Sequence, residues 1–215
     1  MYAKYPKRQR TRFSERVELV EEDCLEDTDE DVVVYKEQLD IVYHADVTSA
    51  SIKSLYGALN TVNLHIDKNW SSMHEDPWIC VRINSAGGEF YPAMSAMEFI
   101  RRNRYNVYCI MEGHVCSAAI FIAIGCAYRV SYPSTVYLIH SVRHNGTDDV
   151  VTYKDIKEEA HNVDLLCTVM KSALKRYSNI NDKEFEECMM SENMFGADRA
   201  LELGLCNEIS FADSE

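Results

Sequence analysis

The sequence predicts an α/β fold formed by a single domain over residues 32–215. From residue 32 onward, short apolar segments of strand length alternate with longer segments in which apolar residues recur at helical spacing. That alternation is typical of a sheet covered by helices. With 215 residues, 47% of them apolar, the chain is long enough for one well-buried core and short for two domains.

The individual strands and helices follow from the length and periodicity of the apolar segments. Short apolar runs predict strands at 40–44, 78–84, 107–111 and 135–139. Longer periodic segments predict helices at 48–66, 92–102, 117–126, 153–177, 182–190 and 198–203. The helix at 117–126 is apolar on every side, which is typical of a helix buried within the core.

Residues 1–31 differ from the rest of the chain in charge. Six Lys and Arg side chains fall within residues 1–16, and eight Asp and Glu side chains fall within residues 21–31. Because blocks of like charge stay solvated and present no apolar face, we expect a flexible N-terminal arm. The functional alternative is an arm that gates or docks when it becomes ordered in an assembly.

Composition and charge exclude several classes of function. A net charge of −13 opposes binding to the phosphate backbone of nucleic acids. No apolar run reaches the roughly 18 residues of a membrane span, and no apolar segment follows the basic N-terminus. We therefore expect a cytoplasmic protein. The eight cysteines and seven histidines form no C-x-x-C or H-E-x-x-H pattern, so we expect no metal and no cofactor.

Three predicted strands end in residue types that acyl-transfer chemistry needs. Gly87 and Gly88 follow the second strand, and consecutive glycines let backbone N–H groups face a ligand. Ser117 follows the third strand at the start of a predicted helix, where unpaired N–H groups and the helix dipole favour negative charge. His140 follows the fourth strand. Taken singly, the three features have structural interpretations: a plain turn, a helix cap and a histidine without a role.

Together these features match the requirements of a serine nucleophile. A serine hydroxyl needs a neutral imidazole as base, and the oxyanion that forms needs preorganised N–H donors. His114 and His144 compete with His140 for the role of base. His114 ranks below His140 because it precedes Ser117 by three residues in a tight turn, which aims its side chain elsewhere.

The order and context of these residues resemble the family of Clp protease proteolytic subunits. The resemblance runs from about residue 33 to residue 209, and between Gly88 and Ser117 the spacing matches without a gap. It rests on four segments: 83–88 (INSAGG), 113–119 (GHVCSAA), 138–140 (LIH) and 194–205 (MFGADRALELGL). It implies a superhelix of β-β-α units, the type that ClpP shares with crotonases, with a protruding handle helix at 153–177.

The resemblance also implies the roles of individual residues. Ser117 takes the place of the nucleophile and His140 that of the base, while the N–H groups of Gly88 and Ala118 form the oxyanion hole. Glu192 stands where the family has the aspartate that orients the histidine, and glutamate serves this purpose in other serine hydrolases. Asp182, or else a backbone or solvent partner of the histidine, is the alternative.

Assembly and partners follow from the same resemblance. Members of the family form heptameric rings, which the handle helices join face to face into tetradecamers, and some dock a AAA+ unfoldase through an apolar pocket. Cys80, Arg82 and Arg102 align with residues of that pocket. Because charges are costly to bury unpaired, the two arginines leave the unfoldase in doubt as a partner.

The function implied is an ATP-dependent-type serine endopeptidase that hydrolyses unfolded proteins and peptides. One alternative is a non-catalytic ring subunit that assembles with an active partner. A second is a viral capsid-maturation protease on the same fold. A third is an acyl-CoA enzyme of the crotonase type, which has no need of a serine at a helix start followed by a histidine at a strand end.

Overall fold

The computed structural model of the chain describes residues 31–70, 76–142 and 152–211. Residues 1–30 of the predicted N-terminal arm, and His144, lie outside the described residues. The elements, in chain order, are β1 Val32–Tyr35, β2 Asp40–Tyr43, α1 Ser49–Asn69, β3 Trp78–Ser85, α2 Phe90–Arg101, β4 Asn106–Cys116, α3 Ala119–Gly125, β5 Tyr128–Ser131, β6 Val136–Leu138, α4 Tyr153–Tyr177, α5 Asp182–Met190, β7 Phe195–Gly196, α6 Ala197–Glu202 and β8 Glu208–Ile209.

One mixed sheet forms the frame of the domain. Its main path has the strand order β1-β2-β3-β4-β5-β8, parallel throughout except for β1, which is antiparallel to β2. Successive side chains of β3 and β4 alternate between the two faces of the sheet. On one face they join the helices in the main core. On the other face Cys80, Tyr108 and Ile110 form a second, smaller cluster with Val130 of β5.

Strand β4 takes part in two sets of pairings. Residues 106–111 lie between β3 and β5, while residues 114–116 pair with β6. Strand β6 in turn pairs antiparallel with the two-residue β7, off the main path of the sheet. Between these two sets of pairings, residues 112–114 form an irregularity against β3, which we call the bend in β4 because extra residues of this kind bend a strand.

Helix α3 lies in the centre of the core, and all seven of its residues are buried. The prediction of a buried helix is therefore confirmed, but its predicted start is wrong. The helix begins at Ala119, because Ser117 has a positive φ of 53° and lies in the turn that precedes it.

Helix α4 projects from the domain. Only Met170, Ala173 and Leu174 of its 25 residues are buried, all of them in its C-terminal third. Large apolar side chains in the rest of the helix, such as Tyr153 and Ile156, are exposed. An ordinary core helix would bury one face along its whole length, so the burial pattern agrees with a protruding handle.

A buried arginine anchors the C-terminal segment. Arg129, on β5, is 9% exposed and donates hydrogen bonds to four backbone carbonyl groups, those of Cys126, Tyr177, Gly204 and Leu205. These carbonyls lie at or just beyond the C-terminal ends of α3, α4 and α6, where the helix dipoles favour a cation. The guanidinium thereby ties three helix ends to the sheet.

Candidate active site

A single cleft holds four of the five residues that the sequence predicts for the site. It has a volume of about 1260 Å³ and is lined by Gly88, Ser117, Ala118 and His140, among other residues. The turn after β3, the turn after β4 and the segment after β6 form one side of the cleft, and α4 forms another. The parallel pairing of β3, β4 and β6 brings the ends of these strands to one place.

Ser117 has a strained backbone. Its φ of 53° lies in the left-handed region, which only Leu39 shares among the other non-glycine residues that the structure describes. This conformation costs roughly 1–2 kcal/mol for an L-residue other than glycine. It is held in place by a hydrogen bond of 2.7 Å from the Ser117 N–H to the carbonyl of Leu138 on β6. Strain of this kind on a sharp strand-to-helix turn is what exposes the nucleophile in other hydrolases.

The neighbouring thiol is unsuited to compete with the serine hydroxyl. Cys116 is buried and its Sγ lies 3.9 Å from the carbonyl oxygen of Val136. Burial raises the pKa of the Cys116 thiol, which keeps it protonated. Ser117 is therefore the candidate nucleophile of the turn.

The loop after β3 presents a backbone N–H group to the cleft. Val47 donates its N–H to the carbonyl of Gly87 at 2.8 Å, and its own carbonyl accepts from the Glu89 N–H at 2.7 Å. In a parallel bridge of this kind, the N–H of the residue in the middle points the opposite way. The N–H of Gly88 thus faces away from Val47, and within the described part of the chain it has no acceptor.

A second N–H group belongs to Ala118, directly after the serine. Ala118 is the N-cap residue of α3, and its N–H likewise has no acceptor among the described residues. The loop and the turn are packed together, since a Cβ placed on Gly87 would lie 2.7 Å from the Ser117 Cβ. Two unpaired donors flanking a serine match the arrangement that stabilises an oxyanion.

His140 is half-buried and makes one defined contact. Its Nδ1 lies 2.7 Å from the carbonyl oxygen of Ser141. A carbonyl only accepts, so in the neutral imidazole the proton is on Nδ1 and the lone pair is on Nε2. This is the tautomer that a general base requires. No hydrogen bond joins Ser117 Oγ to His140 within the described part of the chain.

Glu192 lies outside the cleft, three residues before the β7 end of a strand pairing that leads towards His140. In the antiparallel pair of β6 and β7, Tyr137 is opposite Phe195 and Val136 is opposite Gly196. Extending that register by three residues beyond the pair places His140 opposite Glu192. Glu192 itself is exposed, in the loop between α5 and β7, and is not among the residues that line the cleft.

The other candidates from the sequence lie elsewhere. Asp182, the alternative acid, begins α5 and forms ion pairs with Lys175 and Lys171 of α4. The hydrogen bond from Lys175 lowers the pKa of Asp182, as expected for a carboxylate held in these ion pairs. His114, the competing base, is exposed on β4 and is not among the residues that line the cleft. The contact between His140 and the Ser141 carbonyl could not be predicted from the sequence, because every residue has a backbone carbonyl.

The remaining walls of the cleft combine apolar and acidic side chains. Leu165, Leu166 and Met170 of α4 provide an apolar wall. Three lining residues are acidic (Asp46, Glu89 and Glu159), whereas none of the described lining residues is Lys or Arg.

Among the described residues, no cluster of His, Cys, Asp and Glu has the arrangement of a metal site. None of the helices in the described ranges is long and apolar enough to cross a membrane.

Comparison with known proteins gives one consistent family. The family model described as "Clp protease" matches residues 64–213. The ATP-dependent Clp protease proteolytic subunit 1 of Corynebacterium diphtheriae is 26% identical over 133 residues. That alignment covers 61% of this chain and 63% of the relative, so the chain spans less than two thirds of the relative's length.

Two solved structures of ClpP1 from Listeria monocytogenes share the fold. An asparagine-to-aspartate mutant has a TM-score of 0.68 at 17% identity, covering 81% of this chain and 92% of that chain. The other structure has a TM-score of 0.60 at 18% identity, covering 83% of this chain and 94% of that chain. At these identities the likeness concerns the fold alone, and the fold class predicted from the sequence is confirmed.

Proposed function

The chain belongs to the Clp protease family, and on that basis we propose that it is a serine endopeptidase subunit that cleaves unfolded proteins and peptides. The proposal is carried by the left-handed backbone of Ser117 at the floor of a cleft lined also by His140, Gly88 and Ala118. Backbone strain is maintained only where the surrounding structure enforces it, and it is concentrated at functional sites.

In the proposed first step, Ser117 attacks a peptide carbonyl in the cleft. Nε2 of His140 takes the hydroxyl proton as Oγ forms its bond to the carbonyl carbon. The charge that develops on the carbonyl oxygen is stabilised by the N–H groups of Gly88 and Ala118. The imidazolium then returns its proton to the leaving amine, and the peptide C–N bond breaks to leave an acyl-enzyme on Ser117.

The second half of the reaction releases the acyl group. Water replaces the amine, His140 takes one of its protons, and the hydroxide attacks the ester carbonyl in the same pair of donors. Collapse of the second tetrahedral intermediate returns the proton to Ser117 Oγ and frees the carboxylic acid. No metal or other cofactor is required for either half.

The proposed role of Glu192 is to stabilise the imidazolium. The extended register of β6 and β7 supports Glu192 as the carboxylate nearest to His140 along that pairing. The Ser141 carbonyl already fixes the tautomer of His140 through Nδ1. Glu192 therefore contributes by its charge, whereas the hydrogen bond that orients the ring comes from the backbone.

A second candidate is a non-catalytic ring subunit. It is favoured by one observation, that His140 bonds to its neighbour's carbonyl while no hydrogen bond joins it to Ser117 in the described part of the chain. Catalytic hydrogen bonds are often long in structures without substrate and tighten on binding. The peptidase is therefore the leading proposal, and the first experiment below separates the two.

We also propose assembly into heptameric rings that pair through α4 and receive substrate from a AAA+ unfoldase, in the cytoplasm. Both arginines that the sequence placed in the docking pocket form ion pairs. Arg82 forms an ion pair with Glu112, and Arg102 is 76% exposed and pairs with Glu98. Arg82 also donates to the hydroxyl of Tyr132, a side chain packed against the smaller apolar cluster. Its ion pair with Glu112 lowers the free-energy cost of burying the guanidinium beneath an apolar partner.

The first experiment measures whether Ser117 is an activated nucleophile. The assembled protein is treated with a fluorophosphonate, and the adduct is mapped by intact mass and peptide digestion. We expect one adduct per chain, on Ser117, together with hydrolysis of a fluorogenic peptide. Both are lost in Ser117→Ala and in His140→Ala.

A matched control is a serine outside the cleft. Ser95 on α2 bonds to the Tyr56 hydroxyl at 2.8 Å and is not a lining residue, so Ser95→Ala should label at the rate of the parent protein. If an assembled ring forms no adduct on Ser117, the peptidase proposal is wrong and the non-catalytic subunit takes its place.

A further inference from the structure

The side chain of Asn84 joins β3 to the bend in β4. Asn84 is the second-last residue of β3 and is half-buried. Its Oδ1 accepts a hydrogen bond of 3.2 Å from the backbone N–H of His114. This contact links two strands of the site. One is β3, which leads to the loop of Gly87 and Gly88 (the donor loop), and the other is β4, which leads to Ser117.

The bend is an irregularity of two extra residues in β4. Ile83 pairs with Met111, but Ser85, two residues later, pairs with Val115, which is four residues later. Asn84 is therefore the one residue of β3 that faces the segment 112–114. Extra residues in a bulge lack main-chain partners, and the amide oxygen of Asn84 supplies the acceptor that the regular ladder would have given to His114.

The amide of Asn84 also lies tightly against the centre of the bend. Gly113 has a φ of 63°, and a Cβ built on it would lie 2.7 Å from Asn84 Oδ1 and 3.0 Å from both Cγ and Nδ2. The amide group thus occupies the space that any side chain at position 113 would need. The position of the Asn84 amide therefore depends on glycine at position 113.

The bend sets the direction in which β4 reaches the nucleophile. Beyond it Val115 pairs again with Ser85, Cys116 pairs with Leu138, and Ser117 donates its N–H to the Leu138 carbonyl. The next residue of β3, Ser85, accepts through Oγ from the N–H of Gly87 at 3.2 Å. Asn84 therefore contacts the segment of β4 that leads to Ser117, and Ser85 contacts the donor loop.

From these contacts, and on the basis of the proposed function, we propose that Asn84 is a positioning residue for Ser117. It acts through the bend of β4 and touches neither substrate nor the reacting atoms. Its amide oxygen keeps Ser117 in register with the Leu138 carbonyl and hence near the donor loop. The sequence contained Asn84 in a family-like segment but gave no indication of this role.

The test compares Asn84→Ala with Asn84→Asp. Alanine removes the acceptor for the His114 N–H, whereas aspartate keeps an oxygen at the same position. The fluorophosphonate reaction of Ser117 should be slowed about tenfold or more in Asn84→Ala, since small misplacements of a reacting group have effects of that size. Asn84→Asp should restore the rate to within about threefold of the parent protein, as expected if the oxygen is the active part.

The matched control is Asn63→Ala. Asn63 is also half-buried and exchanges two amide hydrogen bonds, of 2.8 Å and 3.1 Å, with Asn103 outside the cleft. It should lose comparable thermal stability while labelling within about twofold of the parent rate. Equal slowing in Asn63→Ala and Asn84→Ala would refute the positioning role, as would an unchanged rate in Asn84→Ala.

Amide hydrogen exchange gives a readout that does not depend on activity. In Asn84→Ala the N–H groups of His114 and Ser117 should exchange about tenfold faster or more, while those of α1 keep their protection. If the parent protein fails to react with the fluorophosphonate, the proposed function is wrong, and exchange alone decides whether Asn84 positions Ser117. Unchanged exchange at Ser117 would overturn the inference whatever the labelling shows.

Discussion

The contact between Gly87 and Ser117, the proposed nucleophile, predicts a large effect of Gly87→Ala. A Cβ on Gly87 would lie 2.6 Å from the carbonyl oxygen of Cys116, 2.7 Å from the Ser117 Cβ and 3.1 Å from the Ala118 N. All three atoms belong to the backbone or to the base of a side chain, so none can rotate away. The added methyl group must therefore push the donor loop and the nucleophile turn apart.

The size of the displacement sets the size of the effect. Restoring an ordinary contact distance of 3.4 Å requires the two segments to separate by about 0.7–0.8 Å. A misplacement of about 1 Å costs on the order of 100-fold in rate, so we expect labelling and peptide hydrolysis to fall about 30- to 100-fold. Gly87 has a φ of 100°, and alanine there should lower the free energy of unfolding by about 1–3 kcal/mol.

The assay pairs the fluorophosphonate rate with the denaturation midpoint of the same preparation. Gly57→Ala is the control, because Gly57 is exposed within α1 and a Cβ there meets nothing within 4 Å. It should raise the free energy of unfolding by about 0.5–1 kcal/mol and leave the rate unchanged. A Gly87→Ala protein that folds and labels at the parent rate would refute the packing of the donor loop against Ser117.

Three further predictions concern separate parts of the chain. Arg129→Met removes a buried guanidinium that serves four carbonyl groups, so the free energy of unfolding measured in urea should fall by about 3–5 kcal/mol; a change below about 1 kcal/mol would contradict the anchoring role. Glu192→Gln should lower kcat about tenfold or more with little change in KM, since the charge acts on the imidazolium of the transition state; equal kcat values would remove Glu192 from the site. Peptides carrying lysine near the cleaved bond should have a kcat/KM about fivefold or more above that of matched glutamate peptides at low salt, with the difference shrinking at high salt; the absence of a salt-dependent preference would contradict a role for the acidic lining (Asp46, Glu89 and Glu159).

The long helices and central strands could be predicted because their signals are local. The predicted bounds of α4 and α5 agree with the structure, since both helices combine an apolar periodicity with capping boxes, at Thr152 and Asn181. The strands β1, β5, β7 and β8 were missed. They have only two to four residues each, too few for periodicity to show.

The sequence predicted four residues that line the cleft, but not the backbone geometry around them. Gly88, Ser117 and His140 follow from residue types at strand ends, and topology then brings those ends together. The sequence could not give the positive φ of Ser117, which depends on a hydrogen bond to Leu138 on a strand 19 residues later in the chain. The bend at Gly113 was equally hidden, because a bulge depends on how two strands pair and not on either strand alone.

The unequal lengths of β4 and β6 give the two strands that lead into the cleft an unequal resistance to local opening. Ser117 continues directly from β4, an 11-residue strand at the centre of the sheet. His140 follows β6, which has three residues and is flanked by β4 and the two-residue β7. Local opening of β6 therefore costs less free energy than opening of β4. Because the Ser117 N–H donates to the Leu138 carbonyl on β6, a rise in temperature or denaturant should disturb both His140 and the turn at Ser117 before the main sheet unfolds.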